Sequence, residues 1–139
     1  MKENNTFSVA HIGIAVPDIE EARSTYEALG YMAQGEIIAV SQQGVKTLMM
    51  QNGETNIELL APLEKGIPSP VDSYIATKPF KMYHLAYYVS DFEAAIKILK
   101  SHRFVMVDEP QYSETQDGRK TVFLFHRKAG IIELIEDSI

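Results

Sequence analysis

The stretch His11-Ile12-Gly13-Ile14-Ala15-Val16-Pro17-Asp18-Ile19-Glu20-Glu21-Ala22 is answered further along by His84-Leu85-Ala86-Tyr87-Tyr88-Val89-Ser90-Asp91-Phe92-Glu93-Ala94-Ala95, with His, Val, Asp, Glu and Ala at matching places. Two more matches keep the same order. Thr47-Leu48-Met49-Met50 corresponds to Thr121-Val122-Phe123-Leu124, and Ile57-Glu58-Leu59-Leu60 to Ile132-Glu133-Leu134-Ile135. The offsets are 73, 74 and 75 residues, a drift that small loop insertions explain. Chance supplies one such match readily; three in order at nearly constant spacing mark a duplicated supersecondary unit.

Each copy reads as a strand, a helix and further strands. Residues 9–16 and 82–89 are rich in β-branched and aromatic side chains and alternate, which favours strands. Asp18 and Asp91 then stand where helix N-caps belong, and Asp18 with Glu21 has capping-box spacing. In the first helix Ile19, Ala22, Tyr26 and Leu29 share a face and Gly30 is a stop; in the second, Phe92, Ala95, Ile96 and Leu99 share a face. Apolar runs at 35–40, 45–51, 56–61, 104–107, 120–126 and 131–136 supply the remaining strands. The expected fold is α+β: two tandem βαβββ modules, 9–61 and 82–136, forming a cupped mixed sheet with helices on its outer face. The linker 62–81 is expected to hold one short helix near Val71 to Ala76, and the whole forms a single domain over 7–139.

Composition narrows the function. The chain has 139 residues, enough for one domain, and its 45% apolar and 23% charged content is that of an ordinary globular protein. Nineteen acidic residues against thirteen Lys and Arg give a formal charge of −6, which disfavours nucleic acid and anionic membranes. With no cysteine, disulfides, thiolate metal sites and a Cys nucleophile are excluded. The polar N-terminal residues do not resemble a secretory signal and no run approaches the roughly 18 apolar residues of a membrane span, so a cytoplasmic protein is expected.

Alternation then selects the chemistry. If Ile12, Ile14 and Val16 lie under the helix, His11, Gly13 and Ala15 face away; in the second copy Leu85, Tyr87 and Val89 lie under it, leaving His84, Ala86 and Tyr88 on the other side. Glu58 and Glu133 likewise face away from Ile57, Leu59, Ile132 and Leu134. A carboxylate flanked by apolar residues has to be paired, protonated or metal-bound. Each module thus offers one His and one Glu, and a pseudo-twofold arrangement would unite two imidazoles and two carboxylates as a divalent metal site. Taken singly, His11 and His84 are as well explained as hydrogen-bonded strand histidines, and Glu58 and Glu133 as solvent-facing strand residues; the set of four is what is specific. Asp18 and Asp91 are caps rather than acid catalysts, His102 is structural at a helix C-terminus, and His126 belongs to a turn or a phosphate contact.

On these residues the chain resembles the vicinal oxygen chelate (glyoxalase/bleomycin resistance/dioxygenase) superfamily over nearly its whole length, from His11 to Glu136. Within that superfamily it looks most like the methylmalonyl-CoA epimerases. The likeness is carried by His11 to Asp18, Gln43-Gly44-Val45-Lys46, Ile57 to Pro62, the His84 strand, Asp108-Glu109-Pro110 and Ile132-Glu133-Leu134. The resemblance implies metal ligands at His11, Glu58, His84 and Glu133 and a Zn, Co, Ni or Mn ion. It also implies an isomerase or lyase that abstracts a proton next to a thioester or hemithioacetal carbonyl, with Glu133 first and Glu58 second as base. A partner carboxylate of some epimerases corresponds here to Thr47. Thr47, Met49 and Tyr88 are expected in the substrate pocket, with an acyl-CoA or glutathione thioester as substrate and a homodimer as the assembly. A glyoxalase I-like lactoylglutathione lyase, or a non-catalytic small-molecule-binding protein of the same fold, is the alternative.

Overall fold

The computed structural model describes residues 6–77 and 82–137; linker positions 78–81 and the last two residues of the 7–139 span lie outside them. In chain order the elements are β1 (Phe7–Ala15), α1 (Ile19–Ala28), β2 (Met32–Val40), β3 (Val45–Asn52), β4 (Thr55–Pro62), α2 (Asp72–Thr77), β5 (Met82–Val89), α3 (Phe92–Ser101), β6 (Val105–Met106), β7 (Gln111–Ser113), β8 (Arg119–His126) and β9 (Gly130–Glu136). Among the described residues this is an α+β fold whose strand pairing is mixed. The chain divides into two compact units, His11–Tyr83 and a second that joins the residues up to Ala10 to those from His84 onward. β1 therefore contributes to both.

In the first unit the strand order is β2-β3-β4-β1. β1 and β4 are parallel, with Ile12 opposite Ile57, Gly13 opposite Glu58 and Ile14 opposite Leu59. Parallel neighbours require a long crossover, and α1, β2 and β3 provide it. The Asp18 carboxylate accepts the Glu21 N–H at 3.1 Å and so satisfies one of the donors a helix start leaves open. Ile19, Ala22 and Tyr26 then pack on Ile14, Val16, Leu48, Met50, Ile57 and Leu59. Truncating a fully buried Leu such as Leu59 to Ala should cost about 2–5 kcal/mol. Leu29 departs from the expected face: it is 62% exposed, because α1 ends at Ala28 and the chain turns away at Gly30. Gly30 has φ +97°, and a Cβ there would approach the Asn52 amide to 3.0 Å. That amide donates to the Leu29 carbonyl at 3.1 Å and closes the helix end.

In the second unit β5 is parallel to β9, with Ala86 opposite Glu133 and Tyr88 opposite Ile135, and β9 is antiparallel to β8. Asp91 caps α3 by accepting the Ala94 N–H at 3.0 Å. Phe92, Ala95, Ile96 and Leu99 pack on Tyr87, Val89, Val122, Leu124, Ile132 and Leu134, while Ala10, Ala86, Tyr88 and Ile135 cluster on the opposite face. The alternation expected for both copies is thus observed.

Three details differ from the sequence reading. β2 begins at Met32 rather than 35, with a register irregularity between Gln34 and Ile38 where Gly35 has φ +85°. Most of β2 is exposed on both sides, so it has no apolar alternation to read. The run 104–107 yields only two strand residues: beyond Val107, the Asp108 carboxylate takes the Phe123 N–H at 3.2 Å in place of a backbone acceptor. The segment 111–118 contains β7, paired to β8, which at three residues is too short to show a period. The linker helix is present as α2, and Val71 just before it is fully buried against Ala15, Val40, Val45 and Leu60.

Candidate functional site

Register creates the site. In the first unit His11 precedes Gly13 by two residues, and Gly13 faces Glu58 across the parallel pair, so His11 and Glu58 are diagonal neighbours on the face away from α1. Their side chains meet with Nε2 and Oε1 3.2 Å apart, and the residues are only 2% and 3% exposed. In the second unit His84 precedes Ala86 by two, and Ala86 faces Glu133. There Nε2 and Oε1 are 3.3 Å apart at 1% and 4% exposure. The same register has built the same pair twice.

The third strand of each unit extends the equivalence. Met49 lies opposite Glu58 and Thr47 opposite Leu60; Phe123 lies opposite Glu133 and Thr121 opposite Ile135. Thr47 and Thr121 are both buried. Thr47 and Met49 therefore share the Glu58 face, and Tyr88 shares the face of His84. The Phe123 ring stands edge-on to His84 with centroids 5.4 Å apart.

A buried carboxylate against an imidazole nitrogen offers two donors of the type that borderline divalent ions prefer. Each pair is sheltered from water, which strengthens any charge interaction made there. Asp108 adds a carboxyl that the sequence reading noticed only as part of a motif. Burial pushes its pKa above the usual carboxylate value and the Glu133 charge pushes the same way, against the Phe123 N–H. The flanking sequence carries no sign of this, because Asp108 is held by a contact fifteen residues away.

The remaining sequence candidates have structural places. Asp18 and Asp91 are helix caps, and His102 is the C-cap residue of α3. His126 accepts the Lys128 N–H on Nδ1 at 2.9 Å and packs on Phe104, which fits the turn role. A cleft of about 630 Å³ in the first unit runs past Ile37, Lys46, Lys65, Ile67 and Ile75, and neither His11 nor Glu58 lines it. Among the described residues no helix is long and apolar enough to cross a membrane.

Comparison with known proteins agrees with this geometry. Residues 10–123 match the family model of the Glyoxalase/Bleomycin resistance protein/Dioxygenase superfamily. A relative from Mus musculus, the mitochondrial methylmalonyl-CoA epimerase, is 30% identical over 128 residues, covering 89% of this chain and 70% of the relative. A relative from Cereibacter sphaeroides, ethylmalonyl-CoA/methylmalonyl-CoA epimerase, is 34% identical over 115 residues, covering 82% and 84%. The crystal structure of methylmalonyl-CoA epimerase from Mycobacterium tuberculosis superposes with a TM-score of 0.77 at 25% identity, covering 94% of this chain and 88% of that one. The repeat, its doubled His–Glu register and the matched residues lead to one conclusion: the chain belongs to the Glyoxalase/Bleomycin resistance protein/Dioxygenase superfamily.

Proposed function

We propose that the chain is a metal-dependent epimerase acting on the carbon next to an acyl-CoA thioester, of the methylmalonyl-CoA epimerase kind. The observation that carries this reading is the repeated buried pair, His11 with Glu58 and His84 with Glu133, each set by the same strand register. His11, Glu58, His84 and Glu133 together would hold one divalent ion, with Zn, Co, Ni or Mn suited to two nitrogen and two oxygen donors. When bound, such an ion polarises the thioester oxygen and stabilises the enolate formed next to it. The relatives' names favour an epimerase over a lactoylglutathione lyase or a non-catalytic binding protein.

The protein's own groups then move the proton. Glu133 takes the α-proton: the C–H bond breaks, an O–H bond forms on the carboxylate, and the electron pair passes to the enolate. Return of a proton to the opposite side of the carbon completes inversion: Glu58 is the group assigned to that side, passing on a proton taken up from solvent, while the proton on Glu133 is released to solvent. The Thr47 hydroxyl is too weak a base to replace it. Thr47, Met49 and Tyr88 line the acyl pocket and exclude water from the carbanion. We assign these roles to one domain over 7–139, made of modules 9–61 and 82–136 joined by 62–81. We place it in the cytoplasm as a homodimer, which subcellular fractionation and sedimentation would test.

The deciding experiment follows one epimer of methylmalonyl-CoA in D2O with the metal-loaded protein. Inversion with deuterium entering at C2 supports the reading. Absence of both, or turnover only of the hemithioacetal of glutathione, overturns it.

A further inference from the structure

We infer that Arg119 is the residue that recognises the acyl carboxylate of the substrate, and so selects malonyl-type thioesters over simple acyl thioesters. The inference rests on the epimerase reading above. Arg119 opens β8, two residues before Thr121, which lies opposite Ile135, and alternation puts it on the face shared by Phe123 and Glu133. Its guanidinium lies 5.1 Å from the centroid of the Tyr88 ring. Tyr88 in turn packs with Ala86 and Ile135 on the face away from α3.

Half-buried arginines normally meet a carboxylate, but among the described residues none pairs with Arg119. The neighbouring Lys120 points the other way, to Glu93 at 3.9 Å and to the Phe92 ring. Glu114 and Asp117, the acids closest in sequence, are exposed, and water screens them. Arg119 is thus a cation held on an aromatic platform with its fork of donors unused.

The spacing suits a carboxylate on the reacting carbon. Tyr88 lies two residues beyond Ala86, the register partner of Glu133. Two residues of strand span roughly 7 Å, so the guanidinium stands about one same-face step from the level of the base. A substrate whose α-carbon lies beside Glu133 carries its carboxylate on that carbon. One hydrogen bond of about 2.8 Å then covers most of the remaining gap. The phosphates of CoA lie a whole pantetheine arm farther off.

Calorimetric titration of metal-loaded wild type, Arg119→Gln and Arg119→Lys with malonyl-CoA, acetyl-CoA and acetyl-pantetheine tests this, with thermal melting to confirm that each variant folds. Arg119→Gln is expected to weaken malonyl-CoA by about 10- to 100-fold while leaving acetyl-CoA within threefold, and Arg119→Lys to recover part of the loss. KM for methylmalonyl-CoA should rise by a similar factor. Equal weakening of malonyl-CoA and acetyl-CoA, with acetyl-pantetheine unaffected, would assign Arg119 to a CoA phosphate and overturn the inference. Unchanged affinity for all three ligands overturns it as well. In both cases an active wild type keeps the epimerase reading, whereas a wild type that neither binds malonyl-CoA nor epimerises methylmalonyl-CoA overturns both.

Discussion

Phe123 meets the His84 imidazole edge-on, at an interplanar angle of 79°, and lies directly opposite Glu133 across β8 and β9. One aromatic residue is therefore the register partner of the Glu and stands edge-on to the His of the second pair, which limits how far the imidazole can swing. Phe123→Leu should lose about 0.5–1.5 kcal/mol of ring contact beyond the area lost, and lower affinity for the ion by about 10-fold. Met49→Leu, at the equivalent place opposite Glu58, should change both by less, since Leu and Met have similar volume. Equilibrium dialysis with Co2+ checks the pair. Equal affinity in Phe123→Leu and wild type would reduce the ring to a packing role.

Removal of the ion should lower both activity and stability. At a free ion concentration of 1,000 times Kd, binding adds about 4 kcal/mol, and each kcal/mol moves Tm by about 2–4 °C in a chain near this size. Chelation should therefore lower Tm by roughly 10 °C and abolish turnover, with both restored on reloading. The double variant His11→Ala, His84→Ala should show neither activity nor a chelator-dependent Tm. Stoichiometric ion in that variant would contradict the proposed ligand set.

Glu133→Gln keeps the side-chain shape and an oxygen donor but removes the basic carboxylate. The loss in kcat should be about 10²–10⁴-fold. If the two glutamates act on opposite sides of the carbon, Glu133→Gln and Glu58→Gln should slow opposite epimers unequally in single-turnover deuterium uptake. Equal, small losses in both would exclude a base role for either.

Asp108 provides a pH signature in the metal-free protein. Burial and the Glu133 charge raise its folded pKa above the unfolded value, so the fold favours the protonated form. The corresponding stability is full below the unfolded pKa, about 3.9, and is lost as pH rises through the folded value. Asp108→Asn retains an acceptor for the Phe123 N–H without the charge. Its Tm relative to wild type should improve from pH 4 to pH 7; a constant difference across that range would refute the effect.

Asp18→Ala and Asp91→Ala should each cost about 0.5–2 kcal/mol, because each removes an acceptor for a helix-start N–H. Metal binding and kcat should be unchanged. A fall in kcat with Tm preserved would move these residues out of their capping role.

The parts of this protein that repeat were legible, and the parts that do not were harder to read. His11, Glu58, His84 and Glu133 stood out because duplication assigned each a counterpart and period-two alternation put all four opposite the helix-facing residues. Thr47 and Thr121 followed from the same correspondence. Arg119 and Phe123 did not, because alternation assigns a face without distinguishing a side chain that packs from one that stacks on a ring or an imidazole. Leu29 was misjudged by helical period alone, since the period does not reveal that the helix ends one residue earlier. Val71 lay in a proline-containing connection that local pattern marks as outside the core, and only its contact with Ala15 and Leu60 buries it.

The division of β1 has an evolutionary implication. Ala10 packs with Ala86 and Ile135, and Thr6 exchanges hydrogen bonds with Ser90, so the opening residues complete the later repeat rather than their own. An ancestral single copy would have had a bare strand margin at this position, open to a second polypeptide. Fusion of two copies in one gene would turn such a contact between molecules into one within a molecule. A fragment starting at Met82 should therefore self-associate, and a synthetic peptide covering Thr6 to Ala10 should suppress that association.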